Sequence, residues 1–315
     1  MKKDFLSILD LSPADLDRAL ALAADMKRDR PLGRKAPSAE ALGGRHAVLM
    51  FEKPSLRTRT TFTIAIRELG GDVVEPPADT ALGGRETIAD VARNLERWVA
   101  IAVIRTFAQR RLVEFSAAAP RVHVVNALTD EEHPCQALAD YLTLREHTGD
   151  LRGRILTFVG DGNNVATSLA HAGAMLGVHV RVASPEGFDL PAHVVEEARR
   201  VARHGGTVTL FRDPVEAVRD ADAVYTDVWA SMGQEDDAAR RRALFQPCQV
   251  NAALMAHARR DTRFMHCLPA HRGDEVTNEV IDAPTSIVFD QAENRLHTQK
   301  ALLAMLTGTA ERTRN

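Results

Sequence analysis

Short apolar runs alternate with helical segments through nearly the whole chain, and this alternation limits the possible folds more than any other feature. Each run holds about four to six residues, mostly Val, Ile, Leu and Ala, and turn residues bound it. Strands that are apolar on both faces are typical of a parallel sheet that helices cover on each side. The pattern therefore predicts the α/β class, with doubly wound parallel sheets.

The alternation forms two successive series, which a polar, turn-rich stretch at residues 148–153 separates. In the first series we expect strands near residues 46–51, 99–104 and 121–125, and helices near 61–69, 86–98, 110–117 and 134–147. In the second we expect strands near 154–159, 179–183, 207–210, 223–225, 263–266 and 286–288, and helices near 164–176, 192–204 and 291–306. Ser12, Pro13 and Asp15 also predict an N-terminal helix with a capping box. Two series predict two domains, residues 1–148 and 149–290.

Composition excludes several classes of function. The 315 residues include 40 Lys plus Arg and 43 Asp plus Glu, so no basic excess points to nucleic acid or an anionic membrane surface. The three cysteines include no CxxC pair, which argues against a disulfide scaffold and against structural zinc. No stretch approaches about 18 apolar residues, and the N-terminus lacks a signal-peptide core. We expect a cytoplasmic protein with reduced thiols, without nucleic-acid or membrane partners.

The first candidate site, residues 51–60, follows a predicted strand and opens a predicted helix. It brings helix-start N–H groups, the hydroxyls of Ser55 and Thr58 and the guanidiniums of Arg57 and Arg59 together. This combination suits a phosphate or another oxyanion. A capped helix with two surface arginines explains the same residues, so the segment alone leaves both interpretations open.

The second candidate site comprises His133 and Gln136, at another predicted helix start, and Arg105, which ends a predicted strand. All three side chains can donate hydrogen bonds to a developing oxyanion. Taken alone, they are better explained as a helix cap and an ordinary exposed arginine.

The third is the turn Gly160-Asp161-Gly162, which resembles part of the dinucleotide-binding pattern GxGxxG. Val165 replaces the third glycine, and no acidic residue ends the next strand, so the match is weak. A tight strand-to-helix turn is the simpler interpretation, and a nicotinamide-dependent oxidoreductase is the alternative function that the turn suggests.

The fourth comprises Asp227 and Cys267, which follow two predicted strands of the second series. Ligands of open α/β sheets bind beyond the carboxyl ends of strands. A helix cap and a small buried residue are the alternative roles. His266, Cys267 and His271 match no familiar zinc spacing, so no metal is expected.

These motifs, taken together and in this order, resemble the aspartate/ornithine transcarbamylase family. Ser55-Leu56-Arg57-Thr58-Arg59 resembles the family's carbamoyl phosphate motif, and His133-Pro134-Cys135-Gln136 resembles its His-Pro-x-Gln. Asp227 with residues 231–233, and His266-Cys267-Leu268-Pro269, are similar to the ornithine branch. The turn at residues 160–164 fits that branch too, and the matches run from about residue 51 to residue 295. Five ordered motifs outweigh the separate alternatives.

The resemblance implies a carbamoyl phosphate-binding domain, an ornithine-binding domain and crossing helices, with residues 291–315 packing back on the first domain. It implies carbamoyl transfer from carbamoyl phosphate to the δ-amine of L-ornithine, giving L-citrulline and phosphate, without cofactor or metal. A sister enzyme that uses acetylornithine or putrescine is the alternative. The resemblance also implies a homotrimer or a multiple of trimers, in which residues 81–86 reach a neighbour's site.

The resemblance further assigns the site residues. The carbamoyl phosphate-binding residues are Ser55, Leu56, Arg57, Thr58, Arg105, His133, Gln136, Cys267, Leu268 and Arg295. Five of these are expected to be catalytic: Arg57, Arg105, His133, Cys267 and Arg295. The ornithine-binding residues are Asn164, Asp227, Ser231 and Met232.

Two positions depart from the family pattern. Leu56 replaces a Thr that many relatives carry, which removes a hydroxyl and keeps the backbone N–H. Ala81 lies where some relatives have a Gln or His that reaches the adjacent subunit's phosphate. Either Arg85 or another group substitutes for it, or this branch of the family manages without it.

Overall fold

The computed structural model describes residues 1–77, 82, 84–230 and 238–310. The chain forms two compact units, one of Met1–Ala139 with Glu293–Asn315 and the other of Asp140–Ala292. Each unit is built on one parallel sheet, as the alternation predicts. In the part of the chain that the structure describes, no helix is long and apolar enough to span a bilayer.

The first unit holds a four-stranded sheet in the order β2-β1-β3-β4. Its strands are β1 (His46–Phe51), β2 (Asp72–Val74), β3 (Ile101–Arg105) and β4 (His123–Leu128). The helices of this part of the chain are α1 (Pro13–Asp29), α2 (Arg57–Glu68), α3 (Ile88–Leu95), α4 (Gln109–Ala118) and α5 (Pro134–Thr148). The boundary between the units falls inside α5, after Ala139.

The second unit holds a five-stranded sheet in the order β7-β6-β5-β8-β9. Its strands are β5 (Ile155–Val159), β6 (His179–Ala183), β7 (Thr207–Phe211), β8 (Ala223–Thr226) and β9 (Arg263–His266). The later helices are α6 (Asn164–Leu176), α7 (Ala192–Val201), α8 (Pro214–Val218), α9 (Ala238–Phe245), α10 (Ala252–Met255), α11 (Asn278–Ile281) and α12 (Val288–Leu306). The strand order reverses direction between β5 and β8, where an open sheet of this kind binds ligands.

Most of the predicted strands are buried, although the exposed edge strand β7 is predicted as well. β1, β3, β4, β5 and β8 are almost entirely buried, which agrees with the continuous apolar runs that predict them. The N-terminal helix α1 begins with the expected capping box, in which the Ser12 and Asp15 side chains each accept from the other residue's N–H.

The sequence predicts neither strand β2 nor helices α8 to α11, and it predicts one strand that the described residues do not form. The three-residue strand β2 lies at an edge of the sheet and is largely exposed, so no apolar run marks it. The strand predicted at residues 286–288 is wrong. Ser286 forms only an isolated bridge to Phe264, and α12 begins at Val288.

Candidate active site

The loop between β1 and α2 lies at the carboxyl end of the first sheet. Phe51, the last residue of β1, is in register with Arg105, the last residue of β3. Arg105 Nη1 lies 3.4 Å from Ser55 Oγ. Leu56 is the N-cap of α2, and its side chain makes no capping hydrogen bond. The N–H groups of its first turn can therefore bind an anion, which the helix dipole also attracts.

Arg295 connects two segments of the same unit. Its Nη2 donates to Thr58 Oγ1 at 2.8 Å, and its Nη1 donates to Gln136 Oε1. The guanidinium is buried, although α12 contributes it from far along the chain. The expected carbamoyl phosphate residues of α2, α5 and α12 are thus brought together within the first unit.

His133 lies just before α5, and its side chain is buried. Burial lowers the pKa of His133 well below its usual value, and the positive charges of Arg295, Arg105 and Arg57 lower it further. The imidazole is therefore neutral at physiological pH and can donate one hydrogen bond without carrying charge. The three arginines that act on it mark a strongly positive region, which suits a phosphate dianion.

Arg59, the second arginine of the first motif, has partners of its own. Its guanidinium forms an ion pair with Glu75 at 2.6 Å and lies over the Phe51 ring. Arg59 therefore already has an acidic partner in this structure.

Lys53 is a buried residue of the same loop for which the sequence suggested no role. Its ammonium lies 2.6 Å from Asp130 Oδ1 and 4.4 Å from the centre of the Phe107 ring. This pair ties the β1–α2 loop to the loop before His133. A lysine beside a helix-start motif gives little signal in the sequence, because most lysines are exposed.

In the second unit, Asp227 and Cys267 follow the neighbouring strands β8 and β9. Cys267 Sγ donates to Asp227 Oδ1 at 3.0 Å, and the N–H of Val228 donates to the same oxygen at 2.8 Å. Asn163 Nδ2 donates to Asp227 Oδ2 at 2.8 Å. The buried carboxylate is thus held by neutral donors, and its negative charge suits an ammonium group of a ligand.

Asn163 also caps α6. Its Oδ1 accepts hydrogen bonds from the N–H groups of Val165 and Ala166. The N–H of Gly162 donates to the carbonyl of Phe188 at 2.8 Å. The N–H groups that would bind a dinucleotide's pyrophosphate therefore have protein partners, which argues against a nicotinamide cofactor at this turn.

Arg241, on α9, is a further residue that the sequence analysis did not find. The side chain is buried, donates to Asp161 and to the Trp229 carbonyl, and lies against the Phe188 and Phe245 rings. Burial raises the pKa of Asp161; Arg241 opposes the rise and Asp227 adds to it. Arg241 thus fixes the backbone just after Asp227.

Asp227, His266 and Cys267 place potential metal-ligand atoms within 4.8 Å of one another. Each of these atoms already has a protein partner. The Cys267 thiol donates to Asp227, and His266 Nδ1 accepts the N–H of Leu268 at 2.8 Å. The donor set is therefore explained by hydrogen bonds within the unit.

Several expected residues remain outside these groups. Ser231, Met232 and Ala81 lie outside the described residues. Asn164 is the half-buried first residue of α6, and Arg85 is exposed.

The sequence also matches known protein families in both units. Residues 3–146 match the family model described as the carbamoyl-P binding domain of aspartate/ornithine carbamoyltransferase. Residues 152–306 match the model of the Asp/Orn binding domain. The chain belongs to the aspartate/ornithine carbamoyltransferase family.

Individual members of this carbamoyltransferase family resemble the chain over nearly its full length. An ornithine carbamoyltransferase of Acidothermus cellulolyticus is 50% identical over 312 residues, which cover 98% of each chain. One of Anoxybacillus flavithermus is 47% identical over 306 residues, 96% of each chain. The solved ornithine carbamoyltransferase from Pyrococcus furiosus is 47% identical, covers 97% of both chains and superposes with a TM-score of 0.91.

Proposed function

We propose that this protein is an ornithine carbamoyltransferase, which transfers the carbamoyl group of carbamoyl phosphate to the δ-amine of L-ornithine. The products are L-citrulline and phosphate. The observation that carries the proposal is the fixed carboxylate of Asp227 beside Cys267, in a family whose other domain binds carbamoyl phosphate.

The first unit supplies the groups that carbamoyl phosphate requires. The first-turn N–H groups of α2, with Ser55, Leu56 and Thr58, bind the phosphate, and Arg57 and Arg105 neutralise its charge. Gln136 and His133 bind the carbamoyl group. Arg295 touches the carbamoyl phosphate oxygens, since it already contacts Thr58 and Gln136.

The reaction itself follows from these charges. The δ-ammonium of ornithine loses a proton, and the free amine attacks the carbonyl carbon of carbamoyl phosphate. Negative charge then develops on the carbonyl oxygen, where neutral His133 and cationic Arg105 donate hydrogen bonds; one such donor is worth about 3 kcal/mol. The attacking nitrogen gives up its second proton to the leaving phosphate, which departs with the electron pair of the broken C–O bond and is stabilised by Arg57.

The second unit supplies the groups that select ornithine. Asp227 pairs with the α-ammonium group, and Asn164, Ser231 and Met232 complete the binding of the α-substituents. Cys267 and the Leu268 carbonyl, which are also assigned to carbamoyl phosphate, face the reacting δ-amine. Aspartate is disfavoured because Asp227 repels its carboxylates, putrescine lacks α-substituents, and acetylornithine has no free α-amine.

Three wider features belong to the same proposal. Residues 1–148 with 291–315 form the carbamoyl phosphate-binding domain, and residues 149–290 form the ornithine-binding domain. The enzyme assembles as a homotrimer or a multiple of trimers. It works in the cytoplasm, where free thiols such as that of Cys267 persist.

The decisive experiment is a carbamoyl-transfer assay with the purified protein. Carbamoyl phosphate is supplied with ornithine, acetylornithine, putrescine or aspartate in separate reactions, and each carbamoylated product is detected by mass spectrometry. We expect citrulline from ornithine, with at most traces from the other amines. Strong product from another amine would overturn the role of Asp227 and keep the first unit's assignment. No product from any amine would contradict the proposal, and calorimetry with carbamoyl phosphate alone would then test the first unit.

A further inference from the structure

The turn that follows β9 has a strained backbone. Leu268 adopts φ of +58°, a left-handed conformation that a residue with a large side chain rarely takes. Its N–H donates to Nδ1 of His266 at 2.8 Å, which closes the turn around Cys267. A conformation of this kind persists only where surrounding contacts enforce it, and such residues cluster at functional sites.

His266 is held on both sides. Nδ1 accepts a hydrogen bond from the Leu268 N–H, so the ring proton lies on Nε2, which faces Glu275 Oε1 at 3.3 Å. The His266 and Glu275 side chains are both fully buried. The His266 N–H also donates to Gln291 Oε1 at 3.0 Å, which fixes the backbone at the end of the strand.

Glu275 holds the far side of the same turn. Its Oε1 accepts from the N–H of His271 at 2.5 Å as well as facing the His266 ring. One carboxylate therefore connects the residue before Cys267 with a residue shortly after it. Within this turn, the Cys267 thiol lies 3.0 Å from Asp227 Oδ1.

We propose that His266 and Glu275 are positioning residues, which hold the Cys267–Leu268 turn so that its thiol and carbonyl face the reacting amine of ornithine. They act through the backbone of the turn and do not touch the substrate. Glu275 selects the ring tautomer, and the ring in turn accepts the Leu268 N–H. The inference rests on the roles proposed above for Cys267 and Leu268.

A pair of isosteric variants tests this idea. In His266→Asn, the amide oxygen takes the position of Nδ1 and can still accept the Leu268 N–H. In His266→Gln, the amide lies near Nε2, and the Leu268 N–H loses its acceptor. We expect the Gln variant to lose about 10–100-fold in kcat/KM for ornithine, as loss of a supporting hydrogen bond typically does, and the Asn variant to keep activity within about fivefold. KM for carbamoyl phosphate should change less than about twofold in both.

Thiol reactivity gives a readout that does not depend on turnover. Cys135 and Cys248 are buried and Cys267 is partly exposed, so slow alkylation with iodoacetamide, followed by peptide mass spectrometry, reports on Cys267. We expect faster alkylation of Cys267 in His266→Gln, because the thiol is released from Asp227, and a parental rate in His266→Asn.

A second pair applies if the histidine variants do not fold. Glu275→Gln keeps an acceptor oxygen for His266 and His271, whereas Glu275→Leu removes it, so only the Leu variant should show the ornithine defect and the faster alkylation. Equal kinetics and equal alkylation within each pair would overturn the positioning role.

Cys267→Ala distinguishes a failure of the role proposed for Cys267 from a failure of the inference about His266 and Glu275. Full activity of that variant refutes the proposed role of Cys267 itself, whereas an impaired Cys267→Ala beside matched pairs that do not differ refutes only the inference about His266 and Glu275.

Discussion

The candidate binding residues of the two units differ in charge. The first unit concentrates positive charge, since three arginines act on the buried His133. The second unit presents a carboxylate, Asp227, held by the neutral donors Asn163 and Cys267. Under the proposed function, different residues therefore select the anionic substrate and the ammonium-bearing substrate.

This division predicts opposite effects for two substitutions. Arg57→Ala should raise KM for carbamoyl phosphate by about 10–100-fold, because a charge-assisted hydrogen bond to the phosphate is lost, and should change KM for ornithine little. Asp227→Asn removes the charge but keeps the shape, so it should raise KM for ornithine by a similar factor and spare carbamoyl phosphate. Steady-state kinetics with each substrate varied in turn measures both. The reverse pattern would refute the assignment of substrates to the units.

The site residues that the sequence predicts differ in one physical respect from those that only the structure shows. Arg57, His133 and Cys267 lie in short motifs, whose neighbours along the chain help to define them. Arg241 acquires its role from Asp161, 80 positions away, and nothing in the residues around either one records that contact. Glu275 is a buried carboxylate, and an acidic residue in a polar stretch predicts the exposed state.

Helices α2 and α6 each follow a strand, and they differ in the residue at the N-cap, which decides whether the helix start can bind an anion. Both begin just after a buried strand, which is the usual geometry for binding an anion. Asn163 caps α6 with its own side chain, whereas Leu56 offers α2 no side-chain acceptor. The sequence contains this distinction, because Asn is a favoured cap and Leu is not.

Elements whose environment is uniform along their length could be predicted most directly. Buried strands such as β3 appear in the sequence as apolar runs, and the capping-box residues of α1 predict where that helix begins. The exposed edge strand β2 has no such pattern. Residues 286–288 are apolar enough for a strand, but the sheet pairs only Ser286, and the chain turns into α12.

A buried histidine of α12, His297, predicts that the protein loses stability in acid. Burial lowers the pKa of His297 to about 4; Glu293 on the same helix opposes the shift, while Lys27 of α1 and Lys300 of α12 add to it. The unfolded chain takes up this proton near pH 6.5, so the part of the free energy of unfolding that depends on neutral His297 is fully present above that pH. This part is lost as the pH falls from about 6.5 to 4. When the pH is lowered from 7 to 5, the Tm of His297→Gln should fall by about 2–4 °C less than the Tm of the parent protein.

Thermal unfolding at the two pH values, followed by circular dichroism, measures this difference. His193→Gln is the control, because His193 is an exposed residue of α7 and its loss should leave the pH dependence of Tm as in the parent. An unchanged pH dependence in the His297 variant would show that other groups govern acid unfolding.

At the scale of the whole molecule, the proposed trimer makes a prediction about shared sites. Light scattering should give three times the chain mass of 34.5 kDa, or a multiple of it. If residues 81–86 of one subunit serve the neighbour's site, the exposed Arg85 takes part in binding carbamoyl phosphate there. Arg57 and Arg85 of one complete site then come from different chains.

Mixing two defective variants tests this arrangement. Arg57→Ala and Arg85→Ala should each impair the use of carbamoyl phosphate. In trimers reassembled from equal amounts of both, about one quarter of the sites combine an intact Arg57 with an intact Arg85, so about one quarter of the parental activity should return. If both residues serve the same chain's site, every site keeps one defect and no activity returns. If Arg85→Ala alone leaves carbamoyl phosphate kinetics unchanged, Arg85 does not replace the group that Ala81 lacks, and the phosphate is held by its own subunit's α2 and arginines.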